Sequence, residues 1–217
     1  PQWELIEMEA GRGLQALPEP DSADWFFDFE GAPYALEEGL EYLWGISFQD
    51  DSYEAAWAFT RSEEKEVLLR FLQRAVDTFE EHPTYHIYHF GHYETTALKR
   101  LVALHGVGTD LLDHLLRNEV FVDLHRITVQ AIRASVSSYS IKALESVYGF
   151  TRDVEMGDAN RGRALLEAQM TFGKFDTLDA DNLKTVEGYN RDDCISTRQL
   201  ADWVWRLRTE HPAAPPA

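Results

Sequence analysis

The chain has 217 residues, 44% of them hydrophobic and 12% aromatic, which suits one domain with a sizeable core and excludes a disordered chain. No apolar stretch reaches the ~20 residues of a membrane helix, and the lone Cys194 excludes an internal disulfide, so a soluble protein of a reducing, cytoplasmic compartment is expected. The net charge of −18 repels nucleic acid at long range, but residues 1–60 hold only Arg12 against 14 acidic residues, while the rest is closer to balance. A polyanion is therefore expected to approach the later part, around Lys142, Arg152, Arg161, Arg163 and Lys174.

Residues 1–24 are polar, contain Pro and Gly, and read as a lead-in. The aromatic run Trp25–Glu30 predicts a buried strand, broken by Gly31-Ala32-Pro33. Strands are predicted over 42–48 and 53–59, joined as a hairpin across Gln49-Asp50-Asp51-Ser52. A helix follows with Ser62 as expected N-cap and Lys65 where a capping box wants Glu; its apolar spacing runs from Val67 to Phe79, and Pro83 ends it. A fourth strand is expected over 84–89, a helix through Leu98 and Leu101 stopped by Gly106, a shorter helix near 110–117, and a fifth strand over 120–124. Helices are predicted near 126–134, 140–148, 160–171 and 180–208. This order implies an α/β fold with a mixed sheet, three antiparallel strands then two parallel ones, flanked by helices. The domain is expected over 25–210, with a linker-like tail at 211–217; the Pro1 start and Pro-rich end suggest a domain cut from a longer protein.

Alternation on the first strand puts Phe26, Asp28 and Glu30 on one face and Trp25, Phe27 and Phe29 on the other. Two neighbouring carboxylates on a core strand repel each other and resist desolvation. A divalent cation relieves both problems, and hard oxygen ligands suit magnesium or manganese; an edge strand with one wet face is the plainer alternative. Glu94 falls at the start of a helix, where a carboxylate also favours the macrodipole for purely structural reasons. Tyr189 and Asp193, four residues apart on the last helix, share a face, whereas Asp192 points about 100° away and is expected in solvent.

His86, His89 and His92 suggest zinc, but residues three apart on a strand face opposite sides, so packing or substrate contact is the better expectation. Cys194 is expected to be inert, and Trp44, Trp57, Trp203 and Trp205 to be core or interface residues. Lys142 and Arg191 could touch a phosphate, with solvated helix charges as the default.

An acidic pair on the first strand, an acid after the fourth, and Tyr-x-x-x-Asp on a late helix resemble the DEDD exonuclease superfamily in its tyrosine-bearing (DEDDy) branch. The histidine branch would need His where Gly188 stands. The closest resemblance is to the RNase H-like domain of large bacterial RecB-like nucleases, often flanked by a nuclease and a helicase module. It spans roughly residues 3–208 and is carried by Phe27–Gly31, Glu41–Gly45, Tyr88–Glu94, Ser138–Lys142 and Tyr189–Cys194, while Asp123-Leu124 and Ser140–Leu144 resemble stretches between the second and third motifs of the DEDD superfamily. The resemblance implies an RNase H-like fold and metal-dependent 3′→5′ exonuclease activity on single-stranded 3′ ends, DNA favoured, with nucleoside 5′-monophosphate products. It further implies two divalent cations, Mg2+ or Mn2+. Asp28 would bridge them, Glu30 and Asp193 would complete one site, Glu94 would hold the other, and Tyr189 would orient the attacking water. Two positions depart from the pattern: Glu94 stands where most DEDD enzymes have Asp, and Ala32 where the narrower family tends to carry an acid. The extra methylene moves the Glu94 carboxylate by ~1.5 Å, a shift that can cost ~100-fold. A catalytically silent module that docks neighbouring nuclease and helicase domains is the alternative implied by those departures and by the acidic first 60 residues.

Overall fold

A computed structural model describes residues 1–6 and 10–211. Of the expected tail, all but His211 lies outside the described residues. In chain order, the strands and helices are β1 (Trp3–Leu5), β2 (Trp25–Ala32), β3 (Leu40–Ser47), β4 (Tyr53–Trp57), α1 (Arg61–Glu81), β5 (Ile87–His89), α2 (Tyr93–His105), α3 (Thr109–Arg117), β6 (Phe121–Asp123), α4 (Leu124–Ala131), β7 (Ile132–Ala134), α5 (Ile141–Tyr148), α6 (Met156–Thr171) and α7 (Ala180–Glu210). Among the described residues, no helix is long and apolar enough to cross a membrane.

Five strands form one sheet in the order β4-β3-β2-β5-β6. β2 pairs antiparallel with β3 and β3 with β4, whereas β5 runs parallel to both β2 and β6. The expected mixed sheet is therefore present, with β2 at its centre. Alternation on β2 directs Trp25, Phe27 and Phe29 into a core with Val67, Leu68, Phe71, Leu101 and Leu115, beneath α1, α2 and α3. Phe26, on the opposite face, packs with Tyr88, Leu124, Leu144, Leu200 and Val204 under α4, α5 and α7. Helices thus cover both faces, so the acids that share Phe26's face lie inside the fold and not on a wet edge.

Several local expectations are corrected. The N-cap of α1 is Thr60, not Ser62: Thr60 Oγ1 accepts from Glu63 N at 3.2 Å, and Glu63 Oε2 accepts from Thr60 N at 3.0 Å. Glu63 closes this capping box; Lys65 could not. The helix predicted to 134 stops at Ala131, and Ile132–Ala134 pairs instead with Trp3–Leu5 as a small separate sheet. Residues expected as a lead-in pack on the domain: Leu14 and Leu17 are buried in the α4–α7 core, and the Trp3 ring meets Trp203 at 5.2 Å. Asp192, expected in solvent, is buried and accepts from Val154 N at 2.9 Å, because the 152–154 segment crosses that side of α7.

Candidate active site

β2 brings Asp28 and Glu30 to the sheet face that α7 crosses, and α7 aims Tyr189 and Asp193 back at them. One carboxylate oxygen each of Asp28, Glu30 and Asp193 lies within 4.8 Å of the others, the single such group of potential metal ligands among the described residues. Glu30 and Asp193 are buried, while Asp28 keeps an edge open to solvent. The fourth expected ligand, Glu94, is outside this group. It sits in the first turn of α2, 4% exposed, and its charge still reaches Asp28.

The turn that delivers Glu94 is built by neighbouring backbone. Gly91 takes φ +97°, a region side chains rarely adopt, and its N–H donates to Asp123 Oδ1 at 2.9 Å. The same carboxylate caps α4 by accepting from His125 N and Arg126 N, so one side chain ties the β5 turn to the β6 turn. His89 Nδ1 lies 2.7 Å from Gly91 O and 3.4 Å from Glu94 Oε2, an oxygen with no hydrogen-bond partner.

Burial pushes the Asp28 carboxyl well above its usual range, and the charges of Asp193, Glu30 and Glu94 push it further. Glu30 is also raised, first by burial and then against the opposing pull of Arg163. Burial raises the Tyr189 phenol, as does the Asp193 charge, so the hydroxyl keeps its proton. Carboxylates crowded together, with an unpartnered Glu94 oxygen beside them, are a donor set that suits hard divalent cations. Asp28, Glu30 and Asp193 could hold one directly.

Basic side chains line the same site. Arg163 Nε lies 2.9 Å from Glu30 Oε2. Lys142 Nζ donates to Asp193 Oδ2 at 3.1 Å, and Arg152 Nη2 donates to Asp193 Oδ1 at 2.5 Å. All three cations lie over the Tyr189 ring, 5.0, 5.2 and 5.5 Å from its centre for Lys142, Arg152 and Arg163. Of the five basic residues expected to meet a polyanion, these three converge here, whereas Arg161 and Lys174 are exposed elsewhere on the surface. Arg191 is on the far side of α7, paired with Asp153 at 2.6 Å.

Sequence reasoning missed Asn190. Its Nδ2 donates to Asp28 Oδ2 at 2.9 Å, and its Oδ1 accepts from Tyr53 Oη at 2.8 Å. Asn190 fits only because β3 has glycine opposite: a Cβ on Gly45 would lie 1.7 Å from Asn190 Oδ1. The pairing of Gly45 with Asp28 across β2 and β3 was the available signal. The other expectations stand differently. His86 and His92 do not converge with His89 on any metal-ligand group among the described residues. Cys194 is fully buried, its thiol pushed up by burial. Trp44, Trp203 and Trp205 are buried core residues, and Trp57 packs partly buried beside Tyr42. Ala32 is buried among Leu40, Leu43 and Val186.

No curated protein and no solved structure matches the chain. A family model described as RNase H superfamily matches residues 25–205, from the first residue of β2 to deep in α7, and so takes in every acid of the site. Such membership suggests a phosphodiester hydrolase. On the extent of that match, the chain belongs to the RNase H superfamily.

Proposed function

We propose that this domain is a metal-dependent 3′→5′ exonuclease of the DEDDy type, removing nucleotides from single-stranded ends, DNA in preference to RNA. The observation that carries the reading is the convergence of Asp28, Glu30 and Asp193 within 4.8 Å, from a strand and a helix more than 160 residues apart in sequence. Two divalent cations, Mg2+ or Mn2+, held by these three and Glu94, would neutralise the scissile phosphate and polarise it for attack.

The chain's own residues do the rest. Asn190 fixes the Asp28 carboxylate through its Oδ2. Tyr189, kept protonated, offers a hydroxyl that orients the attacking water beside Asp193. His89 stands beside the Glu94 carboxylate, its Nδ1 3.4 Å from Oε2, and leaves that oxygen free for a cation. Lys142 supplies positive charge for a phosphate at the mouth of the site. Arg191 serves the nucleic acid only at a distance, from the far side of α7. Neighbouring nuclease and helicase modules in a parent chain of the cytoplasm are the partners this reading supposes.

End-labelled single-stranded DNA and RNA, incubated with Mn2+ or with chelator, test the proposal. The expected result is a ladder shortening from the 3′ end, dependent on Mn2+ and lost in Asp28→Ala; cleavage at internal positions, or none, overturns it. Tyr189→Phe is expected to lower turnover by ~100-fold while leaving Mn2+ affinity within about twofold. Equal turnover would remove Tyr189 from the mechanism.

A second reading, a silent docking module, draws on one observation: Lys142, Arg152 and Arg163 already neutralise Asp193 and Glu30. No Mn2+ uptake in calorimetry together with no cleavage would favour it.

A further inference from the structure

Four carboxylates, Asp28, Glu30, Glu94 and Asp193, face three basic side chains, Lys142, Arg152 and Arg163, and the two sets are nearly matched in charge. The basic three are not equivalent. Arg152 is fixed: its side chain is 8% exposed and it also grips Glu145 through Nε at 3.0 Å, while Ser196 Oγ donates to Glu145 at 2.9 Å from behind. Lys142 and Arg163 keep 35% and 33% of their side chains exposed, and each holds a single site acid. Arg163 Nε, although 2.9 Å from Glu30, makes no aligned hydrogen bond. Both can therefore leave their acids and reach solvent with little loss.

We propose that Lys142 and Arg163 have two positions: resident counter-ions on Asp193 and Glu30 in the cation-free domain, and ligands of the substrate's phosphate once divalent cations take those acids. The inference rests on the exonuclease reading for what the site binds. It accounts for a nucleic-acid enzyme with a net charge of −18. Before loading, the three basic side chains offset most of the acids' charge. After loading, the displaced lysine and arginine add to the cations' own charge, and the pocket alone becomes a positive target on a negative surface. Arg152 stays on Glu145 and Asp193 and keeps α5 joined to α7 throughout.

The test uses the whole chain and two probes, MnCl2 alone and thymidine 5′-monophosphate, which carries the phosphate without being cleaved. In calorimetry, Lys142→Gln and Arg163→Gln are each expected to bind Mn2+ about tenfold more tightly than wild type, since each removes a unit charge competing for the same carboxylate. The Mn2+-loaded variants are expected to bind the nucleotide about tenfold more weakly. Arg163→Lys, which keeps the charge, is expected to stay within about threefold of wild type on both measures, and thermal melts check that each variant folds. Mn2+ affinity equal to or below wild type in both glutamine variants overturns the inference, as does unchanged nucleotide affinity in the loaded forms. Uptake of Mn2+ by the glutamine variants but not by wild type would support counter-ion competition and sink the exonuclease reading. Uptake by none of them would sink both.

Discussion

Two buried ionic clusters flank the same sheet, and they are built in opposite ways. At one end, Glu64 of α1 stands among donors: Glu41 N and Arg61 Nη1 donate to its two oxygens, each at 2.8 Å, and His105 Nε2 lies 2.8 Å away. That cluster braces α1 and α2 against β3. At the other end, Asp28 has Asn190 as its side-chain donor and three further acids around it, and its carboxyl is pushed far up as a result. A carboxylate placed for stability is surrounded by donors. A carboxylate placed beside other carboxylates holds unfavourable energy that an added cation relieves.

That contrast yields opposite expectations for two isosteric changes. Asp28→Asn is expected to abolish cleavage, by ~1,000-fold or more, the upper range for losing one charge-stabilising group. The same change should leave the thermal midpoint in chelator unchanged or raised, because it replaces a crowded carboxyl by a group that cannot ionise and keeps an acceptor for Asn190. Asp28 and Glu30 retain protons in the folded chain at pH values where the unfolded chain has lost them. Their contribution to stability in chelator should therefore be fully present below the ordinary carboxylate range and be lost as pH climbs from there to about 8, the raised Glu30 value. Asp28→Asn should flatten that fall, and Mn2+ at ~100 times its Kd should offset it by about 2.7 kcal/mol. A pH dependence in chelator that is the same for wild type and Asp28→Asn would contradict the crowded-acid account.

Glu64→Gln should do the reverse. It leaves Arg61 uncompensated inside the fold, at a cost of about 3 kcal/mol, near the low end for a broken buried pair because Arg61 still reaches solvent. The midpoint should drop by roughly 6–12 °C for a chain of this size, with specific activity of the folded fraction unchanged. Differential scanning calorimetry and activity below the transition separate the two effects. Lost activity in stably folded Glu64→Gln would show that the brace also sets the site.

How far these clusters could be read from the chain follows from the range of the forces involved. Alternation over Trp25–Glu30 is a local property, and it correctly gave Asp28 and Glu30 one face and the three aromatics the other. The helical period likewise brought Tyr189 and Asp193 together. The capping box of α1 was also local and was misassigned, since Thr60-x-x-Glu63 begins two residues before the serine chosen. What stayed hidden was non-local. Asp192 is buried by a loop from 152–154, and β7 exists only because Trp3–Leu5 pairs with it. Lys142, Arg152 and Arg163 share no period, and their meeting over Tyr189 depends on where α5 and α6 dock on α7.

Gly45 sharpens the comparison at the smallest scale, because it joins the strained cluster to the sheet. Gly45→Ala would drive a Cβ into Asn190 Oδ1, breaking its hold on Asp28 and its bond from Tyr53. Overpacking of this kind should cost about 1–3 kcal/mol, and loss of a group that orients a metal ligand should lower activity by ~10–100-fold. Asn190→Ala removes the same hold without a clash, so its activity loss should fall in the same range. The two changes should not add: once Asn190 is shortened, alanine at 45 still meets the Tyr53 ring at 2.9 Å but loses its closest clash, so the double variant should be more stable than Gly45→Ala alone and about as active as Asn190→Ala. Strictly additive losses would mean that Gly45 serves β3 itself and not the docking of α7 against Asp28.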